Sequence, residues 1–404
     1  VSEVTRSSAD AGEASGAPRH GRLKRAAAWK AVLSFVGAGL AVVLVSGSAV
    51  AGIAVWQLQD AIDTVTIDAD DIVIPPQVGA YEGSFNVLLV GSDTRLGQGG
   101  LGGTESSTLN DVNMLLHVAA DRQSATLVSI PRDMVVPMPR CSEGGPASGL
   151  PINNTLSYGG LDCTVQTVQN LTGLTIDFAG LITFRGVVEL SNAIGGVDVC
   201  TDDSIVDPMA GLNIQGAGLH TLSGEQALAF LRSRHGVGDG SDLGRISSQQ
   251  VFLSSLVRKI KSDGTLTDLS KLYGIAQAAT QNMQLSNNFS RLDVLVSVAL
   301  VLKDVPLENI TMVQYPGRTG GTGIYAGKVQ PVTSIANQLF DAIRADVPIA
   351  LDGNAVGANG GSTLDPNAPT PDPSASPIDG VPAGQLIAGL KGQTAAQYTC
   401  SAAN

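Results

Sequence analysis

The sequence predicts an α/β body, with one sheet covered on both faces by helices, behind a single membrane-spanning helix. Three observations predict it. Apolar runs of strand length, bounded by Gly or turn residues, recur through the middle of the chain. Segments with helical periodicity are interleaved with them. Near the N-terminus, residues 31–56 run 26 positions without a charge.

At about 1.5 Å per residue, that run crosses a hydrocarbon core of roughly 30 Å with some tilt. Trp29 and Trp56 bracket it, as interfacial aromatics do. Arg6, Arg19, Arg22, Lys24, Arg25 and Lys30 precede it, and no Lys or Arg follows until Arg95. The positive-inside rule then sets the N-terminus in the cytoplasm and the bulk of the chain outside, as in a single-pass type II plasma-membrane protein. A cleaved signal peptide would need a shorter apolar core. Residues 1–30 read as a polar, disordered cytoplasmic tail. Residues 57–80 read as an acidic stalk containing Pro75–Pro76.

The compact region is expected over 81–347. FNVLLVG (85–91) is an apolar run closed by Gly, hence a buried strand. NMLLHVA (113–119) and SATLVSIP (124–131) read as paired strands around the turn ADRQ, and LTIDFAGLI (174–182) as another strand. FRGVVELSNAIGG (184–196) is amphipathic and stops at a glycine pair, so it is a helix with a C-cap. SGEQALAFLRSR (223–234) opens on Ser223 with Gln226 three residues on, the spacing of a capping box. SDLGRISSQQVFLSSLVRKI (241–260) is helical, capped by Ser241 or Asp242. Helices follow at about 265–282, 290–303 and 332–346, with a strand at 310–317. Residues 348–404 read as a Pro/Ser/Gly-rich linker and a short C-terminal segment.

A net charge of −12 excludes wholesale nucleic-acid binding, so any anion site is a local basic cluster. Cys141, Cys163, Cys200 and Cys400 fit an oxidising compartment and allow three pairings. Pairing Cys141 with Cys163 would staple the Gly/Pro-rich loop between them. Cys200 with Cys400 would then tie the tail to the body. No zinc-ligand spacing is present.

Charge gathers where strands end. Asp93 and Arg95 follow the first strand, Asp111 precedes the second, and Arg132 and Asp133 follow Pro131 at the end of the third. Singly, each reads as a turn Asp or a solvated Arg. Together they repeat one chemistry, carboxylate beside arginine, at the strand ends where ligand sites gather. Arg232, Arg234, Asp242 and Arg245 crowd around the glycine-rich turn between two helices. Arg245 in a first helical turn opposes the helix dipole and needs a compensating anion, which a phosphate at that N-terminus would supply. Arginine forks bind phosphate oxygens, and two carboxylates, Asp93 and Asp111, suffice to hold Mg²⁺.

These motifs together resemble the LytR–CpsA–Psr family of cell-wall glycopolymer ligases, in its actinobacterial form. The residues that carry the resemblance are the strand–GSDTR run, the Asp before the next strand, SIPRD, IGGVDVC and RSRH…DGSDLGRISSQQ, within 81–262. The resemblance implies an αβα sandwich with a central mixed sheet behind a transmembrane helix. It implies an Mg²⁺-dependent phosphotransferase: a peptidoglycan sugar hydroxyl attacks the sugar-proximal phosphorus of a polyprenyl-pyrophosphate-linked glycopolymer, leaving a phosphodiester in the wall. It assigns Asp93 and Asp111 to the metal, and Arg95, Arg132, Arg232, Arg234 and Arg245 to the pyrophosphate. Arg132, Arg245 and Asp242 are the expected catalytic residues, with Asp242 orienting an arginine or acting as base. Many relatives carry Arg where this chain has Leu109–Asn110 and Ser247–Ser248, so the clamp is poorer in arginine or differently distributed.

Val187, Val188 and Leu190 on one helix and Val251, Phe252 and Leu256 on another would either line a slot for the lipid or pack as core. Two other readings use the same residues: a non-catalytic polyprenyl-phosphate receptor, and a lipid pyrophosphatase in which water replaces the hydroxyl. A cytoplasmic part of about thirty polar residues leaves no room for a helix-turn-helix regulator.

Overall fold

The structure is a computed structural model. It describes residues 52–53, 63–67, 81–92, 108–141, 146–262, 269–352, 355–357, 360–368 and 384–404. The chain divides into Val1–Trp56 and Gln57–Asn404. The expected tail and membrane helix lie outside the described residues except for Gly52–Ile53. Among the described residues, no helix is long and apolar enough to cross a membrane.

In chain order the second unit begins with β1 (Asp63–Val65), β2 (Phe85–Ser92), β3 (Asn110–Val118), β4 (Ala125–Ile130), α1 (Thr155–Thr172), β5 (Phe178–Thr183), α2 (Phe184–Ile194) and β6 (Val197–Thr201). There follow β7 (Ile205–Asp207), β8 (Leu212–Ile214), β9 (Gly218–Leu222), α3 (Gly224–Arg232), α4 (Asp242–Ser262), α5 (Leu269–Asn282), β10 (Met283–Ser286), α6 (Leu292–Asp304) and β11 (Ile310–Gln314). The chain continues through β12 (Gly317–Arg318), β13 (Gln330–Pro331), α7 (Thr333–Arg344), β14 (Ile349–Ala350), β15 (Ser362–Leu364), β16 (Gln385–Leu386), β17 (Gly392–Thr394) and β18 (Thr399–Ser401).

One eight-stranded mixed sheet, ordered β1-β10-β5-β2-β3-β4-β11-β17, forms the centre. Period-two alternation sends its side chains to two cores. Leu88, Val90, Leu115, Val128 and Ile130 pack with α1 and α7 on one face. Phe85, Val87, Met114, Val118 and Leu127 pack with α6 on the other. A smaller sheet, β15-β18-β6-β9, shares a third core with α3 and α4. Helix α4 therefore serves two cores: Leu253 and Val257 face the main sheet, and Val251 and Phe252 the small one.

Helix α2 starts where β5 stops, because the Thr183 hydroxyl accepts the Gly186 N–H at 3.2 Å. It stops at Gly195, which adopts φ 84°. At α3 the side chain of Ser223 makes no capping bond; the Gln226 N–H is taken by the Ser223 carbonyl instead, so the expected capping box does not form. The Gly/Pro-rich loop between Cys141 and Cys163 runs into α1, whose non-helical Gly159 and Gly160 hid it from the sequence pattern. Strands β6 to β9 fall in a stretch where periodicity predicts no strand.

Two segments that composition sets apart from the body join it. Stalk residues Asp63–Val65 pair in parallel with β10. Beyond residue 347, β17 pairs with β11 at the far edge of the main sheet, and β18 lies parallel to β6 in the small one. Low-complexity composition marks the linker but says nothing of the short strands beside it. Cys141–Cys163 and Cys200–Cys400 are both disulfides, closing separations of 22 and 200 residues.

Loop-closure entropy favours the longer loop by a slowly growing logarithm. The pair Cys200→Ser/Cys400→Ser should therefore lose on the order of 5 kcal/mol, and Cys141→Ser/Cys163→Ser about 3 kcal/mol. Urea melts of the two double variants check the ranking; a larger loss for the shorter loop would contradict it.

Candidate functional site

The antiparallel register builds the centre of the site. Asn113 and Ile130 form the last pair of β3 and β4, and the turn just beyond Ile130 brings Arg132 to Asp111. Arg132 Nη1 donates to Asp111 Oδ1. Asp111 is thus on β3 itself, not ahead of it. Strand β2 ends at Ser92 opposite Asn110; Asp93 and Arg95 lie outside the described residues.

Helix α4 supplies the second half. Ser241 Oγ accepts the Gly244 N–H at 3.2 Å, so Ser241 caps the helix and Asp242 is released from that duty. Asp242 Oδ2 accepts the backbone N–H of Arg132 at 3.1 Å, and Asp242 Oδ1 lies 2.5 Å from Arg245 Nη2. Arg245 Nη2 also donates to the Asp111 carbonyl at 2.9 Å. The anion that Arg245 needs is therefore first Asp242 itself, which also draws β3, β4 and α4 together.

Asp133 completes the cluster. Its carboxylate lies 3.7 Å from Arg132 Nε and 3.9 Å from Arg234 Nη2. Burial and then the charge of Asp242 push its pKa above the ordinary 3.8, against the pull of Arg132, Arg234 and Arg245. Burial lowers the Arg132 pKa, but Asp111, Asp133 and Asp242 outweigh it and hold the guanidinium above its ordinary value. Among the described residues, the Nε–H groups of Arg132, Arg234 and Arg245 are buried with no hydrogen-bond acceptor. Asp242 Oδ1 is likewise buried without a hydrogen-bond partner, and such atoms cost about 1–3 kcal/mol each, more when charged, so the cluster is satisfied only in part.

Arg232 sits at the apolar edge of the site. Its guanidinium lies 4.4 Å from the Phe184 ring centroid, at the wall of a cavity of about 280 Å³. Val187, Leu190, Phe252 and Leu256 line that cavity, and Asp111, Arg232 and Arg245 bring its charge. Of the six apolar residues nominated from sequence, Val188 does not line it and Val251 packs wholly inside the third core.

Asp207, which the sequence pattern passes over as a turn residue before Pro208, holds the arginine turn. Its buried carboxylate accepts from Ser233 Oγ (2.9 Å), Arg234 N (3.0 Å) and His235 N (3.0 Å) at Oδ2, and from Met209 N (3.1 Å) and Ala210 N (3.3 Å) at Oδ1. Burial raises its pKa, but these donors outweigh it and leave the group below the ordinary range. Asp133 was legible in SIPRD as a charge at a strand end; only the fold shows that it joins the arginines.

The missing arginines also find a reason. Ser248 Oγ bonds to Ser401 Oγ at 2.8 Å and to the Gly361 carbonyl at 3.2 Å, and Ser247 Oγ accepts Gln314 Nε2 at 3.0 Å. A Cβ on Gly361 would collide with the Gly244 carbonyl. An arginine at 248 would have to displace the C-terminal strand, and one at 247 the Gln314 side chain or the backbone at Gly361.

The LytR_cpsA_psr family model matches residues 57–341. The cell wall biosynthesis protein LcpA of Corynebacterium glutamicum is 30% identical over 311 residues, covering 68% of this chain and 58% of LcpA. The polyisoprenyl-teichoic acid–peptidoglycan teichoic acid transferase TagT of Bacillus subtilis is 27% identical over 261 residues, covering 63% of this chain and 76% of TagT. The crystal structure of B. subtilis TagV shares the fold, with a TM-score of 0.53, 22% identity, and coverage of 66% of this chain and 98% of that one.

Asp207→Asn turns an NH₂ toward backbone donors whichever way the amide sits, so it should cost about 1–3 kcal/mol at pH 7. A depressed pKa contributes stability above the unfolded value of about 3.9, and that stability is lost as pH falls through the folded value. The gap between wild type and variant in urea melts should therefore close in acid; a gap independent of pH would refute the role.

Proposed function

Because the chain belongs to the LytR_cpsA_psr family, we propose that it is a transferase that moves a glycopolymer from a polyprenyl-pyrophosphate carrier to a peptidoglycan sugar hydroxyl. One observation carries this reading: three guanidinium groups, those of Arg132, Arg234 and Arg245, gather with Asp133 and Asp242 next to an apolar cavity, their Nε–H donors unmatched. A diphosphate on an isoprenoid tail matches both halves. The arginines take the phosphate oxygens, and the cavity between α2 and α4 takes the lipid nearest to them. A soluble nucleotide or sugar phosphate would leave the cavity unused.

In the proposed step the acceptor O–H attacks the sugar-proximal phosphorus. The bond to the bridging oxygen of the diphosphate breaks, and polyprenyl phosphate leaves with the electron pair. Asp242 is buried and ion-paired with Arg245, and its Oδ2 holds the Arg132 N–H, so it positions the arginines rather than taking the proton. Asp133 is more exposed, at 26% of its side chain, and is the carboxylate assigned to receive the hydroxyl proton. Arg132, Arg234 and Arg245 oppose the charge that builds on the phosphorus oxygens, which is how phosphoryl transfer is mostly catalysed. Arg232, and Arg95 by its motif position, extend the clamp.

Asp111 fits a hard divalent cation: its carboxylate lies at the cavity, though Oδ1 already accepts from Arg132. With Asp93 it would hold Mg²⁺, which would supply charge neutralisation to the phosphates. The charge bias around residues 31–56 supports a type II plasma-membrane anchor with this domain outside.

Arg132→Lys and Arg245→Lys should each lower transfer by roughly 10²–10³ while the fold persists. The assay incubates purified protein with a lipid-pyrophosphate glycan and an acceptor glycan, and analyses the product by mass. A glycan phosphodiester supports transfer; free phosphate alone points to a pyrophosphatase, and no product to a receptor. The wild-type rate should rise with pH through the pKa of Asp133, above 3.8, since only the ionised group accepts a proton. Asp133→Asn should abolish that acid limb, and an unchanged profile would remove Asp133 as the base.

A further inference from the structure

A second cavity, of about 570 Å³, opens on the side of the domain that the transfer site does not use. It lies between α4, the β6–β9 pair and the C-terminal segment; Asp198, Leu219, Lys259, Asp365, Asn367 and Tyr398 form its working surface. Along α4, Arg258 and Lys259 stand 16 and 17 residues beyond Asp242, about 24 Å away at ~1.5 Å per residue. The two sites are therefore separate.

The wall of this cavity is fixed in advance. The Arg258 guanidinium sits 4.5 Å from the Tyr398 ring centroid and covers one face of it. Arg258 Nη1 donates to the carbonyls of Ala395 (2.8 Å) and Gln397 (3.0 Å), and Nη2 to Ser255 Oγ (2.8 Å). Its charge is thereby committed to the wall, and burial lowers its pKa. Tyr398 nevertheless remains 41% exposed, so its other face is open. The Asp365 N–H donates to the Tyr398 carbonyl (3.0 Å) and Asp365 Oδ1 accepts the Asn367 N–H (2.8 Å), and all three residues line the cavity. Asp198, braced by Thr221 Oγ1 at 2.5 Å, faces them from β6.

We propose that this cavity is a binding site for a neutral pyranose glycan. A rigid aromatic face takes the C–H face of a sugar ring, and planar carboxylate and amide groups take its hydroxyls in pairs. Asp198 and Asp365 on the wall are balanced by Arg258 and Lys259, so the cavity carries no net charge to hold a phosphate or a uronate. Tyr398 and Leu219 offer too little apolar surface for a lipid. The volume lies within the roughly 300–1,000 Å³ of small-ligand sites. At about 20 Å from Arg245 along α4, at ~1.5 Å per residue, a single glycan chain of several sugars could reach both sites. The proposal stands without the transfer reading, because it rests on different residues.

Saturation-transfer NMR on the whole protein, with chitotetraose and maltotetraose as neutral probes and a polyuronate oligomer as a charged one, tests it. At least one neutral probe should bind, with sugar C–H protons receiving the transfer, and the polyuronate should not. Tyr398→Ala and, at the exposed amide, Asn367→Ala should each weaken binding tenfold or more, with urea melts confirming that both variants are folded. The proposal is overturned if neither neutral probe binds, if the polyuronate binds as well, or if binding survives in both variants.

Discussion

The Asp242–Arg245 ion pair is the interaction on which the site depends. Both side chains are almost fully withdrawn from water, at 3% and 4% exposure. A buried charge is tolerable only when paired and hydrogen-bonded, and removing one partner of such a pair typically costs 3–5 kcal/mol. Asp242 therefore has to be where Arg245 is. Because the same carboxylate also accepts the Arg132 N–H, the end of β4 has to be there too. A helix start, a strand end and two guanidinium groups are thus locked by one acid.

That lock explains the uneven shape of the charge balance. Asp111, Asp133 and Asp242 satisfy the forks of the arginines only in part, and Asp242 Oδ1 is itself left without a hydrogen-bond donor. Were the acids fewer, the cluster would repel itself in the resting protein. Were they better aligned, a phosphate would find nothing to bind. Asp207 acts on the same cluster at one remove: five donors converge on it, and two of them belong to the backbone that carries Arg234.

Strand ends and helix starts were legible because their signals are local. An apolar run closed by glycine gave β2, a glycine pair gave the end of α2, and a Ser-Asp step gave the start of α4. The grouping of Asp111, Arg132 and Arg245 was legible only as repeated chemistry, since register decides which strand ends meet. What sequence did not reveal was long-range or masked. Helix α1 was hidden by Gly159–Gly160, the stalk strand β1 by its shortness, and the tail strands by the low complexity beside them. Asp207 looks like any turn acid until its five donors, two of them 27 and 28 residues away, are counted.

The path of the C-terminal segment governs how the molecule can be made. Strand β18 completes a sheet whose partner β6 leaves the ribosome some 200 residues sooner, a wait of roughly 10–40 s at ordinary synthesis rates. Cys141 and Cys163, only 22 residues apart, meet long before Cys400 exists. Once they have joined, the thiol of Cys200 has a single mate left. Order of emergence thus favours the short loop as the first to close, while Cys200 must wait for the last residues of the chain.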